Sequence, residues 1–272
     1  MAEPGRPRVL VTNDDGIDGE GLWRLAAVAA EAGLDVLVAA PASEASGSGA
    51  AMTAVRDGGR VKIEPRELRG AAAGIPAYAV WATPAFITFT AVRGGFGFRP
   101  RFVLSGINRG PNTGQVVLHS GTVGAALTAA AQGVTGAAFS LDTRHAADQL
   151  EWPTATLVAA EVIRVLPDVA GGIVLNVNVP NLPPERLGGI RRAGLAAFGA
   201  VQLSVAAPDQ GYLEVKMSGS PAELEPGSDS ALLAAGFASV TPLHAVCEAS
   251  ADGLPWPAAP PAAPAAPPAA SA

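Results

Sequence analysis

The feature that most constrains the fold is a strand, loop, helix and strand pattern near the N-terminus. Val9, Leu10, Val11 and Thr12 form a short apolar run, and Asn13-Asp14-Asp15-Gly16-Ile17-Asp18-Gly19 follows as a polar loop. Leu22, Leu25, Val28 and Ala29 then recur at the spacing of one buried helical face over about 21–32. Gly33 stands where a helix closes, and a second apolar run, Val36-Leu37-Val38-Ala39-Ala40, ends at Pro41. This is a βαβ unit, and it predicts an α/β fold built on a parallel sheet.

The same alternation continues. Further strands are expected near 61–63, 77–81, 102–105, 137–141 and 172–179, with helices from Pro84 to about Val92, from about Val123 to Ala131, and from Trp152 to about Leu166. From about residue 182 the pattern turns β-rich, at 201–205, 213–217 and 237–242. Residues 1–249 therefore read as one α/β domain with a β-rich C-terminal extension. Residues 250–272 are mostly Pro and Ala without a core pattern, which predicts a disordered tail. A chain of 272 residues can bury a core of this size, and 49 % hydrophobic with 15 % charged residues suits a globular protein.

The net charge of −6 and the lack of a basic stripe argue against long nucleic acid as a partner. One cysteine, Cys247, leaves no intrachain disulfide and no cysteine-based zinc site. It fits a reducing compartment. No apolar run is long enough to span a bilayer and no secretory signal is visible, so a cytoplasmic location is expected.

In open parallel sheets, ligands bind beyond the carboxyl ends of the strands. Three loops reach that edge, carrying Asp14 with Asp15, Ser46 within Ser46-Gly47-Ser48-Gly49, and Asn108 within Gly106-Ile107-Asn108-Arg109-Gly110. All are oxygen donors, a set that suits Mg²⁺ or Mn²⁺. Asn-Asp-Asp-Gly is also ordinary turn chemistry, and a Gly/Ser loop is also a flexible linker. Adjacent carboxylates repel, so burial of the pair would favour a nearby cation. Ser120-Gly121-Thr122 reads either as a plain helix N-cap or as a set of donors for an anion at the helix start. The chain has no nucleophile elbow, no Gly-x-x-x-x-Gly-Lys phosphate loop and no dinucleotide fingerprint after the first strand.

The motifs together are more specific than any one. Residues 9–17, Val-Leu-Val-Thr-Asn-Asp-Asp-Gly-Ile, resemble the opening of the SurE family of survival-protein nucleotidases. Ala40-Pro41 with residues 46–49, residues 105–112 with Ser120-Gly121-Thr122-Val123, residues 175–180, and residues 240–243 resemble its later motifs over about 8–245. The resemblance implies a Rossmann-like, mostly parallel sheet and a homodimer or homotetramer. It implies a divalent-metal-dependent phosphomonoesterase acting on nucleoside monophosphates, with the metal on Asp14, Asp15, Ser46 and Asn108. The phosphate-binding set implied is Asn13, Gly47, Ser105, Gly106, Ser120, Gly121 and Thr122. The metal would offset phosphoryl charge and acidify the attacking water, with Asp14 or Asp15 as the catalytic base.

The chain departs from the family pattern at Ala42 and Ser43, Ala50 and Ala51, Gln115 and Val116, His119, and Phe86. Two alternatives therefore stand beside the nucleotidase reading. One is a phosphatase for another small phosphate ester; the other is a weakly active or non-catalytic nucleotide-binding paralogue.

Overall fold

A computed structural model describes residues 5–143, 149–197, 201–205, 215–219, 224–248 and 250. The expected tail, apart from Ser250, and residues 213–214 of an expected strand lie outside them.

The strands are β1 (Arg8–Thr12), β2 (Asp35–Pro41), β3 (Arg56–Asp57), β4 (Arg60–Val61), β5 (Ile63–Arg66), β6 (Ala77–Val80), β7 (Phe102–Arg109), β8 (Thr135–Asp142), β9 (Ile173–Pro180), β10 (Ile190–Arg192), β11 (Val201–Val205), β12 (Val215–Gly219) and β13 (Ala238–His244). The helices are α1 (Glu20–Glu31), α2 (Pro84–Val92), α3 (Gly121–Ala131), α4 (Trp152–Val165) and α5 (Asp229–Ala234).

One sheet runs β10-β13-β9-β8-β7-β1-β2-β6-β5. Its six central strands, from β9 to β6, are mutually parallel. β5 and β13 pair antiparallel on either side of that block. The fold is thus a Rossmann-like, mostly parallel α/β sheet. The C-terminal extension is not a separate body, because β13 and β10 lengthen the main sheet, while β11 and β12 form their own antiparallel pair.

Alternate residues of each strand face opposite layers. Val9, Val11, Phe102, Leu104, Phe139 and Val177 pack with α1 and α4. Leu10, Ala39 and Val103 face α2, and Ala138 with Val174 faces α3. Burial on both faces explains why these strands read as continuous apolar runs. β1 lies between β2 and β7, so the strand order reverses there, and the crevice at this switch point is where a ligand is expected.

Besides the short strands β3 and β10, which were not expected, and the run near 61–63, which divides between β4 and β5 in separate sheets, two elements differ from the sequence expectation. The strand expected to stop at Ser105 runs on to Arg109, with its register broken between Ser105 and Asn108. Gly106 has φ +130°, and a Cβ there would lie 2.3 Å from the Phe139 carbonyl oxygen. Its lack of a side chain lets β7 bulge against β8, after which pairing resumes as Asn108↔Ser140. The second is α5, six residues capped by the Ser228 hydroxyl, which accepts from Ala231 N–H at 3.2 Å. It is too short to carry a readable helical period.

Candidate metal centre

The loop after β1 is built by its own polar groups. Asn13 Nδ2 donates to the Gly16 carbonyl at 2.9 Å, closing the turn. Ala45 N–H donates to the Asp14 carbonyl at 2.7 Å, tying the Ser46 loop to the same backbone. Asp14 is 4 % exposed. Its Oδ2 accepts from Thr122 N–H at 3.1 Å and its Oδ1 from the Thr122 hydroxyl. Burial pushes the Asp14 carboxyl above the ordinary range, and the Thr122 bonds oppose that. Gly121 makes the approach feasible: a Cβ there would lie 2.7 Å from Ser48 Oγ and 2.8 Å from Asp14 Oδ2.

Asp15 is half-buried. Burial first, and then the Asp14 charge, push its carboxyl up to about 6, against Arg109, whose N–H donates to Asp15 Oδ2 at 3.4 Å. A carboxyl raised above the unfolded value of about 4 stabilises the fold at low pH, and that contribution is lost as pH rises through about 6. In chelator, Asp15→Asn is therefore expected to melt higher than wild type at pH 7.5, with the gap closing as pH falls to about 4. Paired melting curves across pH check this; a gap independent of pH would contradict it.

Ser46 Oγ donates to Glu44 Oε1 at 2.7 Å, leaving its lone pairs available. Asn108 Nδ2 donates to the Gly110 carbonyl at 2.8 Å, leaving Oδ1 as the free end. Asp14, Asp15, Ser46, Gly47, Asn108 and Ser120 all line one cleft of about 1130 Å³ at the switch point. The structure thus brings all four expected metal ligands together, with two of the expected phosphate contacts.

The other expected phosphate contacts stand behind the wall. Asn13, Ser105 and Thr122 are fully buried, and Gly106 sits in the β7 bulge. The anion held at the start of α3 is the protein's own Asp14 carboxylate, gripped by Thr122. The Ser120 hydroxyl accepts the capping bond from Val123 N–H at 3.1 Å and keeps its own proton to donate into the cleft.

Two adjacent carboxylates face only the exposed Arg109 as a described opposing charge, so the pair is undercompensated. Thr12 Oγ1, Asn13 Oδ1, Ser48 Oγ and Ser105 Oγ are buried near these strand ends without partners. Among the described residues no three of His, Cys, Asp and Glu gather around a metal position. A cation here would rest on two carboxylates, neutral oxygens and water, which fits a small hard divalent ion.

Several contributing residues were not anticipated. Asp229 of α5 is fully buried, and its Oδ2 accepts from Gly114 N–H at 2.8 Å. Its Oδ1 accepts from Ala196 N–H at 3.0 Å and Ser230 N–H at 2.8 Å. Burial raises its carboxyl and these bonds oppose the shift. Asp229 thereby anchors the segment that carries Val116, His119 and Ser120 to the cleft. No sequence signal marks it. Asn176 and Asn178, fully buried in β9, do leave a signal, because they interrupt an otherwise apolar strand.

Fold and cleft together define a Rossmann-like protein with an oxygen-rich, acidic cleft at its topological switch point. Residues 9–202 match the family model described as survival protein SurE. The 5'-nucleotidase SurE of Rubrobacter xylanophilus is 36 % identical over 248 residues, covering 87 % of this chain and 91 % of the relative. That of Symbiobacterium thermophilum is 37 % identical over 242 residues, covering 87 % and 91 %. The crystal structure of the SurE protein from Aquifex aeolicus aligns with a TM-score of 0.71 at 28 % identity, covering 89 % of this chain and 95 % of that one. The chain belongs to the SurE family.

Proposed function

We propose that the protein is a divalent-metal-dependent phosphomonoesterase that hydrolyses nucleoside monophosphates to nucleoside and phosphate. The observation that carries this reading is the meeting of two carboxylates, a hydroxyl and an amide oxygen in one cleft at the switch point. The 5'-nucleotidase names of the relatives support it.

Asp14, Asp15, Ser46 and Asn108 would hold the metal, Mg²⁺ or Mn²⁺, which supplies Lewis-acid charge to the phosphoryl group when bound. Thr122 fixes Asp14 by two hydrogen bonds. Asp15 Oδ1 accepts no hydrogen bond from the described residues, so it is the freer oxygen and takes the proton from the attacking water. The Ser120 hydroxyl and the Gly47 backbone steady the phosphoryl oxygens from the cleft wall. Asn13, Ser105, Gly106 and Gly121 support that wall from behind.

Cleft size and wall favour a second substrate reading. Val116 and His119, both departures from the family pattern, line the cleft. A small phosphate ester other than a nucleotide is the alternative they support. We infer a homodimer or homotetramer of the cytoplasm from the family resemblance and the single cysteine; among the described residues no helix is long and apolar enough to cross a membrane.

The test is phosphate release from nucleoside 5'- and 3'-monophosphates, sugar phosphates and an aryl phosphate, with Mg²⁺, Mn²⁺ or chelator. Metal-dependent release from nucleotides is the expected result. Release confined to other esters would move the substrate, and no release from a folded, metal-loaded protein would overturn the hydrolase reading.

A further inference from the structure

The register of the sheet aligns three polar residues across three strands, Asn108 of β7, Ser140 of β8 and Asn178 of β9. Paired residues of parallel strands point to the same face. Asn112 sits over this row and is bound to it at both backbone atoms and its side chain. Its N–H donates to Asn178 Oδ1 at 2.7 Å. Its carbonyl accepts from Asn176 Nδ2 at 2.8 Å and Asn178 Nδ2 at 3.0 Å. Its Nδ2 donates to Ser140 Oγ at 2.8 Å. Asn176, Asn178 and Ser140 are fully buried, where each such bond counts for more than in water.

Two residues before Asn112, Gly110 is fixed from the other side, its N–H donating to the Leu141 carbonyl at 2.9 Å. With both flanks held, the Gly110 carbonyl has one place to be, and it accepts from Asn108 Nδ2. A carbonyl can receive the amide nitrogen but repels the amide oxygen. Its fixed position therefore decides which end of the Asn108 side chain faces the cleft.

We propose that Asn178, with Asn176 and Ser140, is a positioning group that locks Asn108 with Oδ1 presented as a metal ligand, acting through Asn112 and the Gly110 carbonyl. This rests on the assignment of Asn108 to the metal. It adds a function for two β9 residues that never reach the cleft. Partners behind a metal's direct ligands commonly change metal affinity by about 10–100-fold.

The experiment is Mn²⁺ binding by electron paramagnetic resonance on wild type, Asn178→Ala, Ser140→Ala, Asn108→Ala and the Asn108→Ala/Asn178→Ala double variant, with circular dichroism to establish folding. Asn178→Ala is expected to weaken Mn²⁺ binding about 10–100-fold. In the Asn108→Ala background the same change should weaken it no further, since its effect passes through Asn108. A purely structural role would lower the melting temperature and leave Mn²⁺ affinity within about twofold, the result that overturns the proposal. Equal losses in both backgrounds would also overturn it. If Asn178→Ala fails to fold, Ser140→Ala, which removes one anchor of Asn112, decides on the same criteria. Wild type that binds Mn²⁺ but releases no phosphate would sink the phosphatase reading and leave this one standing; wild type that binds no Mn²⁺ would sink this one.

Discussion

Asp14→Asn is expected to lower metal-dependent phosphate release by about 10³-fold, the scale of several kcal/mol of lost charge stabilisation. The variant isolates charge from shape. Asparagine Oδ1 can still accept from Thr122 N–H, and the Thr122 hydroxyl can turn to accept from the new amide. The fold should therefore hold. In chelator the variant should melt no lower than wild type, because a buried carboxylate held above its ordinary range has been removed. Phosphate-release kinetics and melting curves on one preparation check both halves. Activity within tenfold of wild type would show that Asp14 is not part of the metal site.

Gly124→Ala should damage stability and activity together. A Cβ at Gly124 would lie 2.1 Å from the Gly49 carbonyl oxygen, 2.4 Å from its carbon and 2.8 Å from Ala50 N. All three are backbone atoms, so no rotamer change relieves the contact. Either α3 or the Ser46–Gly49 loop must shift by about 1 Å, and overpacking of this kind costs about 1–3 kcal/mol. For a chain of this size the melting temperature should fall by roughly 2–6 °C. The shift falls between the loop carrying Ser46 and the helix start carrying Ser120, both of which line the cleft, and misplacement by about 1 Å can cost about 10²-fold in kcat. Unchanged melting and kcat would mean that the loop and α3 are not packed as described.

Much of the core was legible because its strands are buried on both faces and read as uninterrupted apolar runs. The ends of β1 and β2 and the neighbourhood of Asn108 could be picked out as polar loops after such runs. That β1 lies between β2 and β7, so that these loops converge, is a property of strand order and has no local trace. The continuation of β7 was hidden because Gly106 and Asn108 are turn-forming residues. Only the Phe139 carbonyl across the sheet shows that Gly106 serves a bulge. The donors of Ser120-Gly121-Thr122 were legible as a helix start, but their acceptor, Asp14, lies 108 residues earlier than Thr122. Asp229 left no trace, since its partners are backbone N–H groups 115 and 33 residues away. Backbone groups carry no sequence identity.

Asp229 also bears on how the chain can be divided. The C-terminal extension begins near residue 182 by pattern, and that point is a tempting place to splice segments between relatives. A hybrid made there would inherit its cleft wall from one parent and the buried acceptor for Gly114 N–H from the other. If the donor segment lacked a carboxylate in register with position 229, the three N–H groups now gathered around it would be sealed from water with nothing to accept them. The natural unit of exchange is thus the main sheet together with its C-terminal extension, because a residue outside the cleft holds up the wall that lines it.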